Sequence, residues 1–137
     1  MNIKQNNQFS IGIVVPCYNE FDRIQLPKFK KFFISNDKVF ICFVNDGSTD
    51  GTSKILADFV NLNPELSQLV NLSKNQGKAE AVRQGINTLL KSSKFQLVGY
   101  LDADLATPLT EIRGFIQKFK SNNELKAVCG FRILRLG

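Results

Sequence analysis

Apolar and polar positions alternate along the chain in blocks that predict strands separated by helices. Five short apolar runs, bounded by turn residues, have the length and composition of buried strands. They span residues 9–15, 39–44, 69–72, 95–101 and 125–131. Between them, apolar residues recur every three or four positions, which is the spacing of one helix face. These four stripes are Phe29, Phe32 and Phe33; Ile55, Leu56, Phe59 and Val60; Ala79, Val82, Ile86, Leu89 and Leu90; and Leu109, Ile112, Ile116 and Phe119.

This order of elements predicts the fold class. Strands that alternate with helices are joined by parallel crossover connections, and the helices then cover the sheet. The apolar run 39–44 contains no polar position, which indicates burial on both faces, as in a parallel sheet. We therefore expect an α/β fold with one mostly parallel, Rossmann-like sheet flanked by helices.

Prolines and short polar residues set the expected ends of these elements. Pro16 is predicted to end the first strand, because proline has no N–H to donate to a strand ladder. Ser48 or Thr49 is expected to cap the second helix, and Pro64 is expected to follow the end of that helix. Pro108 suits the first position of the fourth helix, where a missing N–H costs nothing.

Length and composition are those of one globular domain. The chain has 137 residues, of which 43% are apolar and 22% charged. No apolar run reaches the roughly 18 residues of a membrane span, and the polar residues 1–8 are expected to be a flexible lead-in rather than a signal peptide. These features predict a cytoplasmic location, or the cytoplasmic face of a membrane for a longer protein. Reduced thiols are expected at Cys17, Cys42 and Cys129.

The net charge of +6 is compatible with three kinds of partner: nucleic acid, a membrane surface or an anionic small molecule. Much of the excess lies at residues 23–38, where an exposed helix face accounts for it. Such a helix would bind an anionic membrane weakly. No nucleic-acid-binding module is recognisable in the sequence, so nucleic acid is not an expected partner.

Two carboxylates end the fourth predicted strand. Asp102 and Asp104 follow the apolar run 95–101, and they would point to the same side if the extended backbone continued. Neighbouring carboxylates repel each other unless a cation or hydrogen-bond donors lie between them. Mg²⁺ is often held by one or two carboxylates together with substrate phosphates. A metal–diphosphate site is one interpretation of this pair, and a polar strand end before a helix cap is the other.

The other loops at the same sheet edge favour the metal–diphosphate site. Ligands of open parallel sheets bind beyond the carboxyl ends of the strands. The loops after the first and second strands carry Glu20, Asp46 and Asp50, and the loop after the third carries Lys74 and Lys78. Acids that can hold a metal beside lysines that can hold phosphates are what a nucleoside diphosphate site needs.

Four motifs at this edge resemble those of the family 2 glycosyltransferases, which have the GT-A fold. They are VVPCYNE at 14–20, VNDGSTDGT at 44–52, NQGKAEAVRQG at 75–85 and LDAD at 101–104. They occur in the family's order over nearly the whole chain. The run DADLATP at 102–108 is most similar to the branch that glucosylates dolichyl or other polyprenyl phosphates.

The resemblance implies residues for the nucleoside end of a nucleotide-sugar site. Pro16, Tyr18 and Glu20 would line the uridine pocket, and Asp46 would bind the uracil. Gly77 would let the backbone come close to the ligand.

The resemblance also implies the residues of the diphosphate end. Lys78 and Arg83 would face the donor phosphates, where their charge would be useful as the leaving group becomes more negative. Asp102 and Ala103 would lie near the ribose or sugar. The metal, Mg²⁺ or Mn²⁺, would be held by Asp102 and Asp104, with Asp104 as its main ligand.

The implied activity is transfer of a sugar from a nucleotide-sugar donor, with UDP-glucose expected, to an acceptor such as a polyprenyl phosphate or a glycan. The family usually has aspartate where this chain has Asn45, which can still hydrogen-bond the base or a neighbouring loop. Family members continue well past Gly137 into an acceptor-binding half that carries the catalytic-base carboxylate. We therefore expect residues 1–137 to be a single donor- and metal-binding domain, truncated before that half and incomplete for catalysis alone.

Three other classes of protein compete with this interpretation. A catalytically inactive nucleotide-binding module fits the same motifs. A phosphoacceptor signalling domain fits poorly, because it needs an acid pair after the first strand and an aspartate after the third, where this chain has 16–18 (PCY) and 73–75 (SKN). A nicotinamide-binding fold needs Gly-x-Gly-x-x-Gly after the first strand, and this sequence has none there.

Overall fold

Strands and helices alternate along the chain in a computed structural model, which describes residues 10–130. These residues divide into two units between Ala106 and Thr107. The first unit contains β1 (Ile11–Cys17), α1 (Leu26–Ile34), β2 (Val39–Asp46), α2 (Thr52–Leu62), β3 (Ser67–Leu72), α3 (Lys78–Lys91) and β4 (Leu97–Tyr100). The second contains a 3₁₀ turn (Leu109–Glu111) and α4 (Ile112–Ser121). The expected flexible lead-in at 1–8 lies outside the described residues, and the expectation of a single domain stays a prediction.

The first unit is built on a four-stranded sheet in which all neighbouring strands are parallel. The strand order is β3-β2-β1-β4, so the order of the chain reverses between β1 and β4. Ligands of such sheets bind at the carboxyl edge beside this reversal. The predicted mostly parallel sheet with flanking helices is therefore confirmed.

Side chains of β2 alternate between two helix-covered faces. On one face, the Phe43 ring contacts Phe29 of α1 and Phe59 of α2, with ring centroids 5.2 and 5.8 Å apart. On the other face, Cys42 and Val44 lie in a buried cluster to which α3 contributes; its α3 members are Ala81 and Leu89. Burial on both faces explains why residues 39–44 are apolar throughout, as the sequence predicted.

Close packing of α3 on the sheet depends on a glycine. A Cβ at Gly85 would lie 2.5 Å from Cγ1 of Val14 and 2.9 Å from Cγ2 of Val44. Since side chains in protein interiors leave few voids, a helix residue larger than glycine would push α3 away from β1 and β2. The spacing between helix and sheet at this position is therefore set by the backbone itself.

Two predicted element boundaries of the first unit are wrong. β1 continues through Pro16 to Cys17. Proline is tolerated in the strand because the pairing of β1 with β4 ends at Val14, so no hydrogen bond to β4 requires the N–H that Pro16 lacks. Neither Ser48 nor Thr49 caps α2, which instead begins after Gly51 without a side-chain cap. The end of α2 at Leu62, shortly before Pro64, agrees with the prediction.

The second unit, described by itself, departs further from the prediction. Pro108 is extended and precedes the 3₁₀ turn, so the fourth helix starts later than expected. Of its predicted stripe, Leu109 and Ile112 are buried, whereas Ile116 and Phe119 are half-buried. The predicted fifth strand is wrong over residues 125–130, because most of them are exposed and the described part of the chain offers them no strand partner. No helix within residues 10–130 is both long and apolar enough to cross a membrane.

Candidate functional site

A cleft of about 350 Å³ opens at the carboxyl edge of the sheet in the first unit. Its lining comes from the ends of β1 and β2, from the loops after β1, β3 and β4, and from the first residue of α3. The lining residues are Pro16, Cys17, Tyr18, Glu20, Arg23, Asp46, Asn75, Lys78, Asp102, Ala103 and Asp104. The structure therefore brings together the predicted donor- and metal-binding residues, with the exceptions of Gly77 and Arg83.

The loop after β4 is a turn and not the extended segment that the sequence suggested. β4 ends at Tyr100, the N–H of Leu105 donates to the carbonyl of Asp102 at 3.1 Å, and Leu105 has a φ of 54°. The side chain of Asp104 is exposed, and its Oδ1 accepts from the N–H of Ala106 at 2.9 Å. The turn, rather than strand alternation, places both Asp102 and Asp104 at the cleft.

Lys78 forms an ion pair with the first of these carboxylates. Its Nζ lies 2.5 Å from Oδ1 of Asp102 and 5.8 Å from the centroid of the Tyr100 ring. An ammonium group within about 6 Å of an aromatic ring is held by the ring's quadrupole as well. The cleft thus contains a lysine beside the carboxylate that the sequence assigned to a metal.

The carboxylates of the cleft fit a metal that is shared with a ligand. Among residues 10–130, no group of three or more acidic, cysteine or histidine side chains is arranged to hold a metal ion. Asp102 and Asp104 supply two hard oxygen donors, and Mg²⁺ in particular is commonly held by one or two carboxylates plus substrate phosphates. The predicted metal ligands therefore suit an Mg²⁺ or Mn²⁺ ion that is shared with a phosphate-bearing ligand.

Glu20 has one satisfied and one unsatisfied carboxylate oxygen. Oε1 accepts from Nη2 of Arg23 at 2.9 Å, whereas Oε2 is buried and has no hydrogen-bond partner within the part of the chain that the structure describes. Burial raises the pKa of Glu20, the charge of Arg23 opposes that rise, and the charges of Asp104 and Asp50 add to it. A buried acceptor without a donor costs free energy, which a ligand N–H or O–H would recover.

The loop after β1 is tied to the loop after β2. The N–H of Asn19 donates to Oγ of Ser48 at 3.0 Å, and the N–H of Thr49 donates to Oδ1 of Asn19 at 2.9 Å. The N–H of Phe21 donates to Oδ2 of Asp50 at 3.2 Å. Of the two residues that the sequence assigned to capping α2, Ser48 uses its hydroxyl and Thr49 its backbone N–H in these bonds. The bonds fix the loop that presents Tyr18, a residue that is 44% exposed and lines the cleft.

At the end of β2, Asp46 binds backbone amides of another loop and Asn45 binds the neighbouring strand. Asp46 is buried, and its two carboxylate oxygens accept from the N–H groups of Gln76 and Gly77. Asn45 is also buried; its Nδ2 donates to Oδ1 of Asn71 at 2.9 Å. Asn71 lies in β3; the loop contact expected for an asparagine at position 45 is instead made by Oδ1 of Asn45, which accepts from the N–H of Ser48 at 3.2 Å.

Arg83 and Gly77 differ in how they relate to the cleft. Arg83 is paired along α3 with Glu80, at 2.7 Å from Nε to Oε2 and 2.6 Å from Nη2 to Oε1. This pairing, with the hydrogen bond from Gln84, lowers the pKa of Glu80 to about 2. The structure therefore does not place Arg83 at the phosphate end. Gly77, with a φ of 93°, precedes α3 and has open space where a Cβ would lie.

Three lining residues were missed by sequence reasoning: Cys17, Arg23 and Asn75. Arg23 had been assigned to an exposed helix face, although its spacing of three residues from Glu20 is one at which side chains can pair. Cys17 and Asn75 lie inside motifs that were recognised, and their neighbours were chosen instead. Burial and the charge of Glu20 both raise the pKa of the Cys17 thiol.

Comparison with known proteins identifies the family. Residues 12–135 match the family described as Glycosyl transferase family 2. The chain belongs to this family. The glycosyltransferase class that the four motifs predicted is thereby confirmed.

Curated relatives of this family 2 chain are much longer than it is. The poly-beta-1,6-N-acetyl-D-glucosamine synthase of Staphylococcus epidermidis is 33% identical over 120 residues, which are 88% of this chain and 28% of that protein. The synthase of the same name in Staphylococcus aureus is 32% identical over 120 residues, which are again 88% of this chain and 28% of that protein. The chain thus spans little more than a quarter of the curated relatives that it matches.

Solved structures share the fold. The mannosyltransferase PcManGT from Pyrobaculum calidifontis, in complex with GDP-Man and Mn²⁺, has a TM-score of 0.57 and 25% identity, over 82% of this chain and 32% of that chain. Staphylococcus aureus TarS 1–349 in complex with UDP has a TM-score of 0.59 and 23% identity, over 82% and 33%. The predicted GT-A fold is confirmed, and the family 2 chain covers about a third of these neighbours.

Proposed function

We propose that the chain is the donor- and metal-binding part of an enzyme that transfers a sugar from a UDP-sugar to an acceptor. The observation that carries this proposal is the convergence of Lys78, Asp102 and Asp104 with Tyr18 in one cleft. A diphosphate is bound by cations, a divalent metal by carboxylates, and a nucleobase by an aromatic surface. The cleft offers all three in about 350 Å³, a volume within the range of small-ligand sites.

The nucleoside end is formed by the loop after β1. Tyr18 has enough exposed ring surface to stack on a base. Oε2 of Glu20, which is buried and has no hydrogen-bond partner among residues 10–130, would accept from a ribose hydroxyl or a uracil N–H. Since leaving such an oxygen without a donor is costly, binding of a nucleoside would remove a penalty that the free chain carries.

The diphosphate end is formed by the start of α3 and the turn after β4. Lys78 supplies fixed positive charge, and Arg23 lines the same cleft. When bound, Mg²⁺ or Mn²⁺ would be held by Asp104 and Asp102 and would neutralise charge on the diphosphate leaving group. Lys78 acts in the same direction by holding positive charge where negative charge develops.

N-acetylglucosamine is the sugar that we propose first for the donor. The curated relatives, which match over 120 residues, are synthases of a poly-N-acetylglucosamine. The resemblance to enzymes that glucosylate polyprenyl phosphates concerns only residues 102–108 and supports UDP-glucose as the second candidate. The corresponding acceptors are a growing glycan and a polyprenyl phosphate.

A membrane surface is the further partner that we propose, in keeping with a location at the cytoplasmic face. Lys28, Lys30, Lys31 and Ile34 of α1 are exposed, and Ile34 is 84% exposed. None of the three lysines forms an ion pair with an acidic side chain among residues 10–130. Lysines near an anionic membrane contribute about 1 kcal/mol each, so the attraction is weak and sensitive to salt.

Calorimetric titration of the full chain with a panel of nucleotides tests the donor. In the presence of Mn²⁺ we expect UDP, UDP-GlcNAc and UDP-glucose to bind, with UDP-GlcNAc the tighter of the two sugars. GDP-mannose should bind at least about tenfold more weakly, since a mismatched base leaves polar groups unpaired. Equal binding of the uridine and guanosine nucleotides would contradict the uridine assignment, and binding of none of them would contradict the donor site.

A further inference from the structure

Asp46 is bound to the loop that precedes α3. It is 2% exposed, and its Oδ1 accepts from the N–H of Gln76 at 2.8 Å while its Oδ2 accepts from the N–H of Gly77 at 2.9 Å. Hydrogen bonds from backbone amides to a carboxylate are roughly twice as strong as neutral ones. Both oxygens of this buried side chain are thus used to hold two consecutive amides of another loop.

Gly47 holds the same loop from a second side. Its φ is 64°, and a Cβ at this position would lie 2.3 Å from the nitrogen of Asn75 and 2.3 Å from the carbonyl carbon of Lys74. No side chain fits at that distance from a backbone, and the positive φ also favours glycine. The pair 46–47 therefore fixes the whole segment 74–77 against the end of β2.

The segment held in this way leads directly into the phosphate end of the cleft. α3 begins at Lys78, the residue after Gly77, and the Lys78 ammonium reaches Oδ1 of Asp102. A chain of direct contacts therefore runs from the Asp46 carboxylate, through the amides of 76 and 77, to the lysine. An error in the path of the loop would move the lysine away from the diphosphate.

We propose that Asp46 is a positioning residue for Lys78, so that the end of β2 sets the geometry of the phosphate contact. The proposal rests on the proposed donor site and adds to it. The sequence assigned Asp46 to uracil alone, and a carboxylate oxygen with one bond to an amide can still accept a second donor. The two roles differ in which part of the nucleotide loses affinity when the carboxylate is removed.

Comparison of uridine with UDP separates the two roles. Asp46→Asn keeps the size of the side chain but turns an N–H₂ group toward one of the two amides. If Asp46 positions Lys78, the variant should lower the affinity for UDP by about tenfold or more, and should lower the affinity for uridine much less. A purely uracil-binding Asp46 predicts equal losses for uridine and UDP, and that result would overturn the proposal.

A double-mutant cycle with Lys78→Met gives a second, independent measure. Lys78→Met should weaken UDP binding in the wild-type background and should have a much smaller effect in the Asp46→Asn background, because the lysine is already displaced. Additive losses would contradict the proposal. Asp58→Asn, an exposed position on α2, is the control for the change in net charge.

Amide hydrogen exchange tests the contact without any ligand. The N–H groups of Gln76 and Gly77 should be protected in the wild type and lose protection in Asp46→Asn, while amides within β2 stay protected. Unchanged protection of these two amides would contradict the proposal. Failure of wild-type chain to bind UDP would instead contradict the donor site and would leave this exchange result to decide the positioning role.

Discussion

Lys78 and Asp102 form an ion pair across the cleft, with Nζ 2.5 Å from Oδ1. The lysine is the residue proposed to meet the donor phosphates, and the aspartate is a proposed metal ligand. In the free chain each of them therefore neutralises the other. A metal and a diphosphate that bind together would supply a new partner to both, so that neither charge is left uncompensated.

The first prediction concerns metal binding in the absence of nucleotide. Lys78→Met should increase the affinity for Mn²⁺ by about two- to fivefold, because an exposed ion pair is worth roughly 0.2–1 kcal/mol and its loss frees Asp102. The same variant should bind UDP at least about tenfold more weakly, since a hydrogen bond to a charged group is lost. Binding of Mn²⁺ can be followed by the electron paramagnetic resonance signal of the free ion.

Lys74→Met is the matched control for that experiment. Lys74 lies in the loop that precedes Lys78 and carries the same charge, but it does not line the cleft. We expect both affinities to stay near those of the wild type. Equal effects of the two substitutions would show that net charge, and not the ion pair with Asp102, determines metal binding.

The second prediction concerns two glycines in helices. Gly85→Ala should destabilise the chain by about 1–3 kcal/mol, because its Cβ would lie 2.5 Å from Val14. Gly114→Ala in α4 should instead stabilise it by about 0.5–1 kcal/mol, since a Cβ there contacts nothing within 4 Å and alanine favours helix. Urea unfolding measures both. A Gly85→Ala chain as stable as the wild type would show that α3 can move away from the sheet at little cost.

The helices and strands of the first unit were predictable because the spacing of apolar residues in the sequence reflects which of their faces are buried. The spacing of the phenylalanines of α1 is explained by one buried helix face, and the apolar run of β2 by a strand that is buried on both faces. Element ends were less predictable, because they depend on neighbours. Pro16 stays in β1 only because the β4 ladder ends earlier, and the predicted fifth strand near Leu125 has no partner among the described residues.

The sequence predicted most of the residues that form the candidate site, but it predicted fewer of the contacts between them. Acids and lysines at the ends of parallel strands were expected to share an edge. Four of those acids and one lysine line the cleft, namely Glu20, Asp46, Asp102, Asp104 and Lys78, whereas Asp50 and Lys74 do not. The sequence could not show whether Arg83 pairs with Glu80 or contacts a phosphate, because both contacts fit an arginine in the first turns of a helix. The contact of Asp46 with the amides of 76 and 77 depends on the path of a loop, which sequence patterns do not specify.

The third prediction concerns the pH dependence of stability. Burial raises the pKa of Glu20 in the folded chain, Arg23 opposes the rise, and Asp104 and Asp50 add to it. The folded chain therefore binds this proton more tightly than the unfolded chain does. The resulting stabilisation is fully present below the ordinary glutamate pKa and is lost as the pH rises through the raised value.

Glu20→Gln isolates this contribution. The free energy of unfolding of the wild type, measured in EDTA at a series of pH values from acidic to neutral, should fall relative to that of the variant as the pH rises. Glutamine cannot ionise, so the variant lacks the slope that Glu20 produces. Parallel pH profiles of the two proteins would show that Oε2 of Glu20 is solvated and not buried.

The fourth prediction concerns the exposed face of α1. Lys30→Glu with Lys31→Glu should reduce binding to vesicles that contain phosphatidylserine by about fivefold or more for each lysine reversed. Lys91→Glu, at the end of α3, is the control because α3 covers the opposite face of the sheet. Added salt should abolish the difference. Equal binding of the double variant and the wild type to phosphatidylserine vesicles would contradict the proposed membrane contact. So would equal binding of the wild type to neutral vesicles and to phosphatidylserine vesicles.

The most direct test of the donor site is the affinity for UDP with Mn²⁺ and with EDTA, measured by calorimetry on the wild type and on Asp104→Asn. The predicted result is that the wild type binds UDP at least about tenfold more tightly with Mn²⁺, because the metal links the carboxylates to the diphosphate. Asp104→Asn should lose most of that difference while its unfolding midpoint stays near that of the wild type. Equal affinity of the wild-type chain for UDP with Mn²⁺ and with EDTA would contradict the account.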